Sequence, residues 1–326
     1  MSRALRAVSG WCAAITIGLL ALPGTPAGAA ENFPAAPLKV IVPFPPGGSA
    51  DTAMRVLAND LGQELGQPVI IDNRGGAGGI IGVNAGAKAP ADGYTTVLVA
   101  NSYAANFTLR KDLPYKGNEL VPVAILGVQP SVLVVRPSLG VKSLEELIAL
   151  GKKKQLSYAS YGAGTTPHMA METFKLDSGI QAVHIAYRGE SQALQDVWGG
   201  TVDMMFGTLS IMMPVVDQGG LVALAVGTTN RSVAAPELKT VRDLLNLDKF
   251  NFDSWFGVMA PSGISPERLA ILKKAFQRTL ARPAVQEALL KRGVEPIPNG
   301  EEFDTFLSRN IKDYAQIIRR ANITIE

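Results

Sequence analysis

Cysteine and histidine are scarce in this sequence, whose 326 residues include one Cys and two His. One cysteine excludes a disulfide framework and a cysteine-rich zinc or iron–sulfur site, and two histidines leave little for a histidine-based metal site. The net charge of +3 is small and both signs are interspersed, so the chain lacks the electrostatic footprint of a nucleic-acid-binding protein. We therefore expect no metal, no cofactor and no nucleic-acid partner.

Apolar residues and glycine, in contrast, are plentiful. The AVILMFWYC class makes up 47% of the chain, which is enough for a large core, and the length suggests roughly two domains of about 150 residues each. Glycine accounts for 33 residues, about 10% of the chain, against a usual share of about 7%. Because the glycines are clustered, their clusters are candidate functional loops.

The first thirty residues have the pattern of a secretory signal peptide. Arg3 and Arg6 precede an uncharged apolar stretch at 11–22 and small residues at 27–30, as export signals do. A transmembrane anchor is the alternative, but the stretch is shorter than the roughly twenty residues that a spanning helix needs. We expect residues 1–30 to be removed, with the only cysteine, and the mature protein to be periplasmic.

Val- and Ile-rich runs alternate with amphipathic stretches along the rest of the chain, which predicts an α/β fold with helices packed on mixed, mostly parallel sheets. Strands are predicted at 38–42, 69–72, 95–100, 132–135, 156–159, 183–186, 202–206, 221–227 and 257–260. Helices are predicted to begin near Ser49, Ser143 and Ser265, and a last helix covers about 301–320.

The length of the chain calls for two domains, yet no Pro/Gly/Ser-rich linker divides it. We therefore expect two lobes joined by crossings near 128–131 and 250–255. Lobe 1 would contain 31–130 plus 252–326, and lobe 2 would contain 131–251. Two such α/β lobes direct strand ends and helix starts toward a cleft between them, where a ligand would bind.

Three glycine loops follow a predicted strand and precede a predicted helix: residues 43–51 (PFPPGGSAD), 73–79 (NRGGAGG) and 161–168 (YGAGTTPH). Glycine lets the backbone approach a ligand, and a helix start offers free N–H groups to an anion. Any one loop is also compatible with a plain tight turn. Neither a G-x-G-x-x-G nor a Walker motif is present, so a carboxylate fits better than a nucleotide phosphate.

Catalytic motifs are missing from the sequence. It contains no G-x-S-x-G elbow and no H-E-x-x-H pair, and no thiol remains after export. His168, at a helix start, is interpreted as a structural or capping residue, His184 as a core histidine, and Asp51 as a structural carboxylate. We therefore predict no catalytic residue and no enzymatic activity.

Taken together, these segments resemble the Bug (Bordetella uptake gene) family, the extracytoplasmic solute receptors of tripartite tricarboxylate transporters. The similarity extends over nearly the whole mature chain and is carried by the order and spacing of several short segments. These are residues 40–51 (VIVPFPPGGSAD), 73–79 (NRGGAGG), 91–94 (ADGY), 158–165 (YASYGAGT) with His168, 187–189 (YRG), 255–257 (WFG) and 260–263 (APSG).

The resemblance implies a two-lobed periplasmic binding protein of the type II-like, Venus-flytrap kind, which closes on a small organic acid. It implies delivery of that acid to membrane permease subunits by a monomeric receptor. A receptor that docks on a membrane sensor kinase and a secreted hydrolase remain as alternatives. Carried over residue by residue, the ligand-binding set is Phe44, Gly47, Gly48, Ser49, Ala50, Ala77, Gly78, Ser102, Tyr161, Thr165, Thr166 and Gly207, with Asp51 and His168 structural at the site.

Two positions depart from the family pattern. Relatives often have Pro where this chain has Gly75, which is a small change in loop stiffness. After the residue that matches Phe206, relatives often have Asp, whereas this chain has Gly207. Without that acid, a ligand with a distal ammonium group is disfavoured. The expected ligand is a di- or tricarboxylate or an aromatic carboxylate.

Overall fold

The computed structural model describes residues 33–232, 234–247, 250–297 and 301–324. The predicted signal peptide at 1–30 lies outside these residues. Within them, no helix combines the length and the apolar character that crossing a membrane requires.

The first of two five-stranded sheets is built from β1 Leu38–Val42, β2 Val69–Asn73, β3 Thr95–Ala100, β4 Leu120–Gln129 and β10 Ser254–Pro261. Its strand order is β2-β1-β3-β10-β4. Strand β1 pairs in parallel with β2 and β3, whereas β10 pairs antiparallel with β3 and β4. Four strands therefore run in one direction and β10 runs in the other.

The second sheet repeats this arrangement with β5 Ser131–Val135, β6 Leu156–Ser160, β7 Ala182–Ala186, β8 Met204–Thr208 and β9 Val222–Val226. Its order is β7-β6-β8-β5-β9, with β5 antiparallel to β8 and β9 and the other pairs parallel. Pro130 alone separates β4 from β5, so the chain leaves the first sheet at this residue. It returns to that sheet at β10.

Eleven α-helices occur among the described residues, and most of them follow a strand. They are α1 Ser49–Leu65, α2 Ile80–Ala87, α3 Asn101–Leu109, α4 Leu144–Gly151, α5 Thr166–Ser178, α6 Glu190–Trp198, α7 Leu209–Asp217, α8 Val241–Leu245, α9 Pro266–Leu280, α10 Pro283–Leu290 and α11 Phe303–Arg320. Short 3₁₀ turns lie at Ala77–Gly79 and Pro137–Leu139.

The core lies on both faces of the sheets. Every residue of β5, β8 and β10 is buried, as expected for strands that are covered on both sides. Trp255 on β10 has edge-to-face contacts with Phe303 and Phe306 of α11, with ring centroids 6.0 and 5.5 Å apart. These aromatic pairs hold the last helix on the first sheet.

The predicted fold class, two mixed and mostly parallel sheets flanked by helices, is confirmed. Strands β1 and β3 have the predicted bounds. Ser143 and Ser265 cap α4 and α9, because each hydroxyl accepts a hydrogen bond from the amide three residues later, at Glu146 and Arg268. Most of β4 was not predicted, because Pro122 interrupts its apolar run. A proline is tolerated there since β4 is an edge strand.

Candidate ligand-binding site

Four helices begin around one cavity of about 230 Å³. Helices α1, α3, α5 and α6 follow the carboxyl ends of β1, β3, β6 and β7, which is where ligands bind in α/β sheets. The cavity is lined by Phe44, Pro45, Pro46, Gly48, Ser49, Ala50, Ala100, Asn101, Ser102, Tyr161, Thr165, Thr166, Gly189, Glu190, Ser191, Gln192, Ser254 and Phe256.

None of these four helix starts has a side-chain N-cap among the described residues. Helices α4, α8 and α9 are capped by the hydroxyls of Ser143, Thr240 and Ser265, whereas α2, α7, α10 and α11 also begin without a side-chain cap. What sets the four helices apart is that they begin at one cavity. The first N–H groups of a helix have no intrahelical acceptor and carry the positive end of its dipole. The first-turn residues of α1, α3 and α6 that line the cavity therefore offer backbone N–H donors to an anion. Helix α5 contributes Thr166 alone, because the next residue, Pro167, has no N–H.

Asp51, in the first turn of α1, fixes the first glycine loop. Its Oδ2 accepts hydrogen bonds from the Gly47 amide at 2.9 Å and from Arg55 Nε at 2.8 Å. Its Oδ1 accepts one from Asn73 Nδ2 at 3.0 Å, and that amide group also donates to the Phe44 carbonyl at 3.1 Å. Burial opposes ionisation of Asp51, but the hydrogen bonds from Arg55, Gly47 and Asn73 outweigh it and lower its pKa.

The third glycine loop is fixed by its own side chains. Thr165 Oγ1 donates to the Gly162 carbonyl at 2.6 Å, and the Gly164 amide donates to His168 Nδ1 at 3.2 Å. Gly162 and Gly164 have φ of +125° and +77°, which favours glycine at both positions. Burial and the stacked ring of His184, 4.4 Å away, lower the pKa of His168 to about 4. His168 is therefore neutral at pH 7, and Nδ1 remains an acceptor.

The second glycine loop contacts the third loop and does not line the cavity. A Cβ on Gly78 would lie 2.8 Å from the Ala163 carbonyl oxygen, and a Cβ on Gly162 would lie 3.1 Å from Gly78 Cα. Gly78 also has φ of +64°. Close backbone contact, with no room for side chains, explains the glycines at both places.

Three hydroxyl groups on one side of the cavity contact each other. Ser254 Oγ donates to Thr166 Oγ1 at 3.0 Å, and Tyr161 Oη lies 3.5 Å from Ser254 Oγ. Thr166 is the first residue of α5, which follows β6 of the second sheet, and Ser254 is the first residue of β10 in the first sheet. The hydrogen bond therefore connects a helix that follows the second sheet to a strand of the first.

Most of the residues carried over from the resemblance converge in the structure. Eight of the twelve line the cavity: Phe44, Gly48, Ser49, Ala50, Ser102, Tyr161, Thr165 and Thr166. Gly47, Ala77, Gly78 and Gly207 are not among the lining residues. At Gly207 a Cβ would lie 2.5 Å from Met212 Cε, so packing against Met212 accounts for this glycine.

The start of α6 was missed as part of the site. Glu190, Ser191 and Gln192 line the cavity directly after Gly189. Residues 187–189 contribute to the family resemblance but contain a single glycine, which is a weaker signal than the paired glycines of the other loops. The order of strand, Gly189 and helix is the feature that could have identified this fourth loop.

Residues 53–323 match the family described as the tripartite tricarboxylate transporter family receptor. The chain is 37% identical over 303 residues to the protein BugT of Bordetella pertussis, covering 91% of this chain and 93% of BugT.

Two solved structures are also similar. The periplasmic binding protein BugD has a TM-score of 0.84 at 27% identity, covering 90% of this chain and 100% of BugD. The R. palustris protein Rpa4515 with adipate has a TM-score of 0.84 at 28% identity, covering 90% and 99%.

Proposed function

The chain belongs to the tripartite tricarboxylate transporter receptor family, and from this premise we propose that its cavity binds one small organic acid for delivery to a membrane permease. The observation that carries the proposal is the meeting of four uncapped helix starts at one cavity. Among the described residues that line this cavity, none is Lys, Arg or His. Backbone amides and hydroxyls would therefore hold the acid.

Such a site supplies enough energy for binding. A hydrogen bond to a charged group contributes about 1.5–3 kcal/mol, so several backbone amides offset the entropy lost on association. The carboxylate would accept bonds from the amides at the starts of α1 and α3, facing the hydroxyl of Thr166. Rpa4515, with adipate bound, shows that this fold accommodates an organic acid in a related protein.

Ligand-driven closure is the second part of the proposal. We assign residues 31–130 plus 252–326 to one lobe and 131–251 to the other. On this division the cavity has walls from both lobes, such as Ser49 and Ser102 on one side and Thr165 and Glu190 on the other. A ligand that contacts both lobes binds the closed state more tightly and shifts the population toward it.

Transport in the periplasm is the third part. Family and structural relatives are binding proteins, and BugD is a periplasmic binding protein. For this chain we propose export by residues 1–30, a monomeric receptor with no catalytic step, and docking of the closed form on permease subunits.

A charge placed in the cavity tests the binding site. Ser102, in the first turn of α3, lines the cavity and is 4% exposed. In Ser102→Asp the new carboxylate repels an acidic ligand; the helix start favours it whereas its burial opposes it, so a melting curve of the variant without ligand reports whether the fold is retained. Ser102→Asn is the matched neutral control.

The readout is thermal stabilisation by a panel of organic acids, with neutral sugars and amines for comparison. We expect an acid to stabilise the wild type, and Ser102→Asp to lose affinity by about a hundredfold or more relative to Ser102→Asn. Equal affinities in the two variants would place the acid elsewhere. No stabilisation by any acid at millimolar concentration would refute the proposed ligand class.

A further inference from the structure

Glu190 is the one acidic residue among the described residues that line the cavity. It is the first residue of α6 and is 5% exposed. Its Oε1 accepts a hydrogen bond from the Thr208 amide at 2.7 Å, and its Oε2 accepts one from Ser49 Oγ at 3.1 Å. The carboxyl group is thus fixed in the cavity wall by two donors on different elements.

Both of these donors are neutral, and no basic side chain lines the cavity in the described parts of the chain. A carboxylate offers about four acceptor positions, and the two hydrogen bonds leave about two of them. Burial raises the pKa of Glu190, against the hydrogen bonds from Thr208 and Ser49 that lower it. A buried carboxylate without a cationic partner is unfavourable, so a cationic donor on the ligand would be strongly favoured there.

The cavity therefore has two kinds of polar group. Uncapped helix starts favour a carboxylate, and Glu190 favours a positively charged hydrogen-bond donor. We propose that Glu190 determines ligand specificity by binding an ammonium group, so that the receptor selects organic acids that carry an amino group over acids that lack one. This rests on the proposed function, since it takes the acid to bind in the same cavity.

Glu190 also changes the expectation drawn from position 207. Because Gly207 stands where relatives often have Asp, a ligand with a distal ammonium group was predicted to be disfavoured. Glu190 accepts a hydrogen bond from the amide of Thr208, the next residue along the strand. An acidic group is therefore present beside this strand end, although it comes from α6 and not from β8.

Matched pairs of acids test the proposal by isothermal titration calorimetry. The probes are L-aspartate with succinate, L-glutamate with glutarate, and L-2-aminoadipate with adipate, since the members of each pair share a carbon chain. Each is titrated into the wild type, Glu190→Gln and the control Glu287→Gln. Glu287, on α10, is an exposed acid paired with Lys291 and does not line the cavity, so its variant loses an acidic group outside the proposed site.

We expect the wild type to bind the amino member of at least one pair about tenfold or more tightly than its partner. Glu190→Gln should reduce this preference by about tenfold or more, and Glu287→Gln should keep it. Melting curves of the variants report whether the fold is retained, and the wild-type preference is measured without any substitution.

Two results would overturn the inference and leave the proposed function standing. One is a wild type that binds the acids without an amino group as tightly or more tightly, as it would if Glu190 were protonated and donated to a second carboxylate. The other is a preference that Glu190→Gln does not change. Binding of no probe at millimolar concentration would count against the proposed function itself, and against this inference with it.

Discussion

We expect acidification to lower the free energy of unfolding of the protein, because His168, at the third glycine loop, is buried in its neutral form. The unfolded chain takes up a proton on this residue near pH 6.5, whereas burial and His184 hold the pKa in the folded protein at about 4. Between these pH values the unfolded state binds more protons, so the free energy of unfolding falls as the pH falls. At about 1.36 kcal/mol per pH unit, the loss from His168 is about 2 kcal/mol at pH 5 and about 3 kcal/mol at pH 4.

The variant His168→Asn isolates this effect. Its side-chain oxygen can accept the Gly164 amide hydrogen bond in place of Nδ1, but it has no proton to gain in this range. Glu172, whose pKa is lowered in part by His168, also titrates in acid, so the comparison ends at pH 5, above the ordinary pKa of a glutamate. The difference between wild type and variant therefore reports on His168.

The assay is urea unfolding of both proteins at pH 7.5, 6.0 and 5.0. The wild type should be the more stable at pH 7.5 and should lose about 2 kcal/mol of that advantage by pH 5. An advantage that stays constant within about 0.5 kcal/mol, the scale of error in such extrapolations, would refute the assignment of a neutral, buried His168.

Three further predictions concern the loops and the cavity. Asp51→Asn replaces the carboxylate that accepts three hydrogen bonds. We expect urea unfolding at pH 7 to show a free energy of unfolding lower by about 2 kcal/mol, and an unchanged unfolding midpoint would contradict this. Gly78→Ala places a Cβ 2.8 Å from the Ala163 carbonyl oxygen at a φ of +64°. We expect calorimetric melting to show a free energy of unfolding lower by about 1–3 kcal/mol, and a variant as stable as the wild type would be inconsistent with close contact of the two loops. Thr166→Val should weaken binding of an organic acid by about tenfold in titration calorimetry. Thr305→Val, at an exposed position, is the control, and equal affinities of the two variants would contradict the prediction.

Helices and strands whose formation depends on neighbouring residues could be predicted from the sequence. The Val- and Ile-rich run of β1 and the Ser-Pro-Glu start at Ser265 gave the right structure because propensity and capping act within a few residues. Most of strand β4 was not predicted, since Pro122 is acceptable in a strand only at a sheet edge. Which strand is an edge depends on pairing with β10, more than a hundred residues away.

In the candidate site, too, the features with a local cause were predicted and those that depend on distant residues were not. The first and third loops were identified from paired glycines between a strand and a helix, and their residues line the cavity. Glu190 could not be identified in this way, because an acid at a helix start is usually exposed and favourable there. In the structure it is buried and bonded to Ser49 and Thr208, which are distant in the chain, so only the folded structure reveals its place in the site.

The central claim, that the cavity holds one small organic acid, is tested most directly by native mass spectrometry of protein purified without removal of its ligand. We predict one small molecule bound per chain, released on denaturation and identified by its mass as a carboxylic acid. A bound molecule with no carboxylate, or protein that stays free of ligand when organic acids are added at millimolar concentration, would contradict the account.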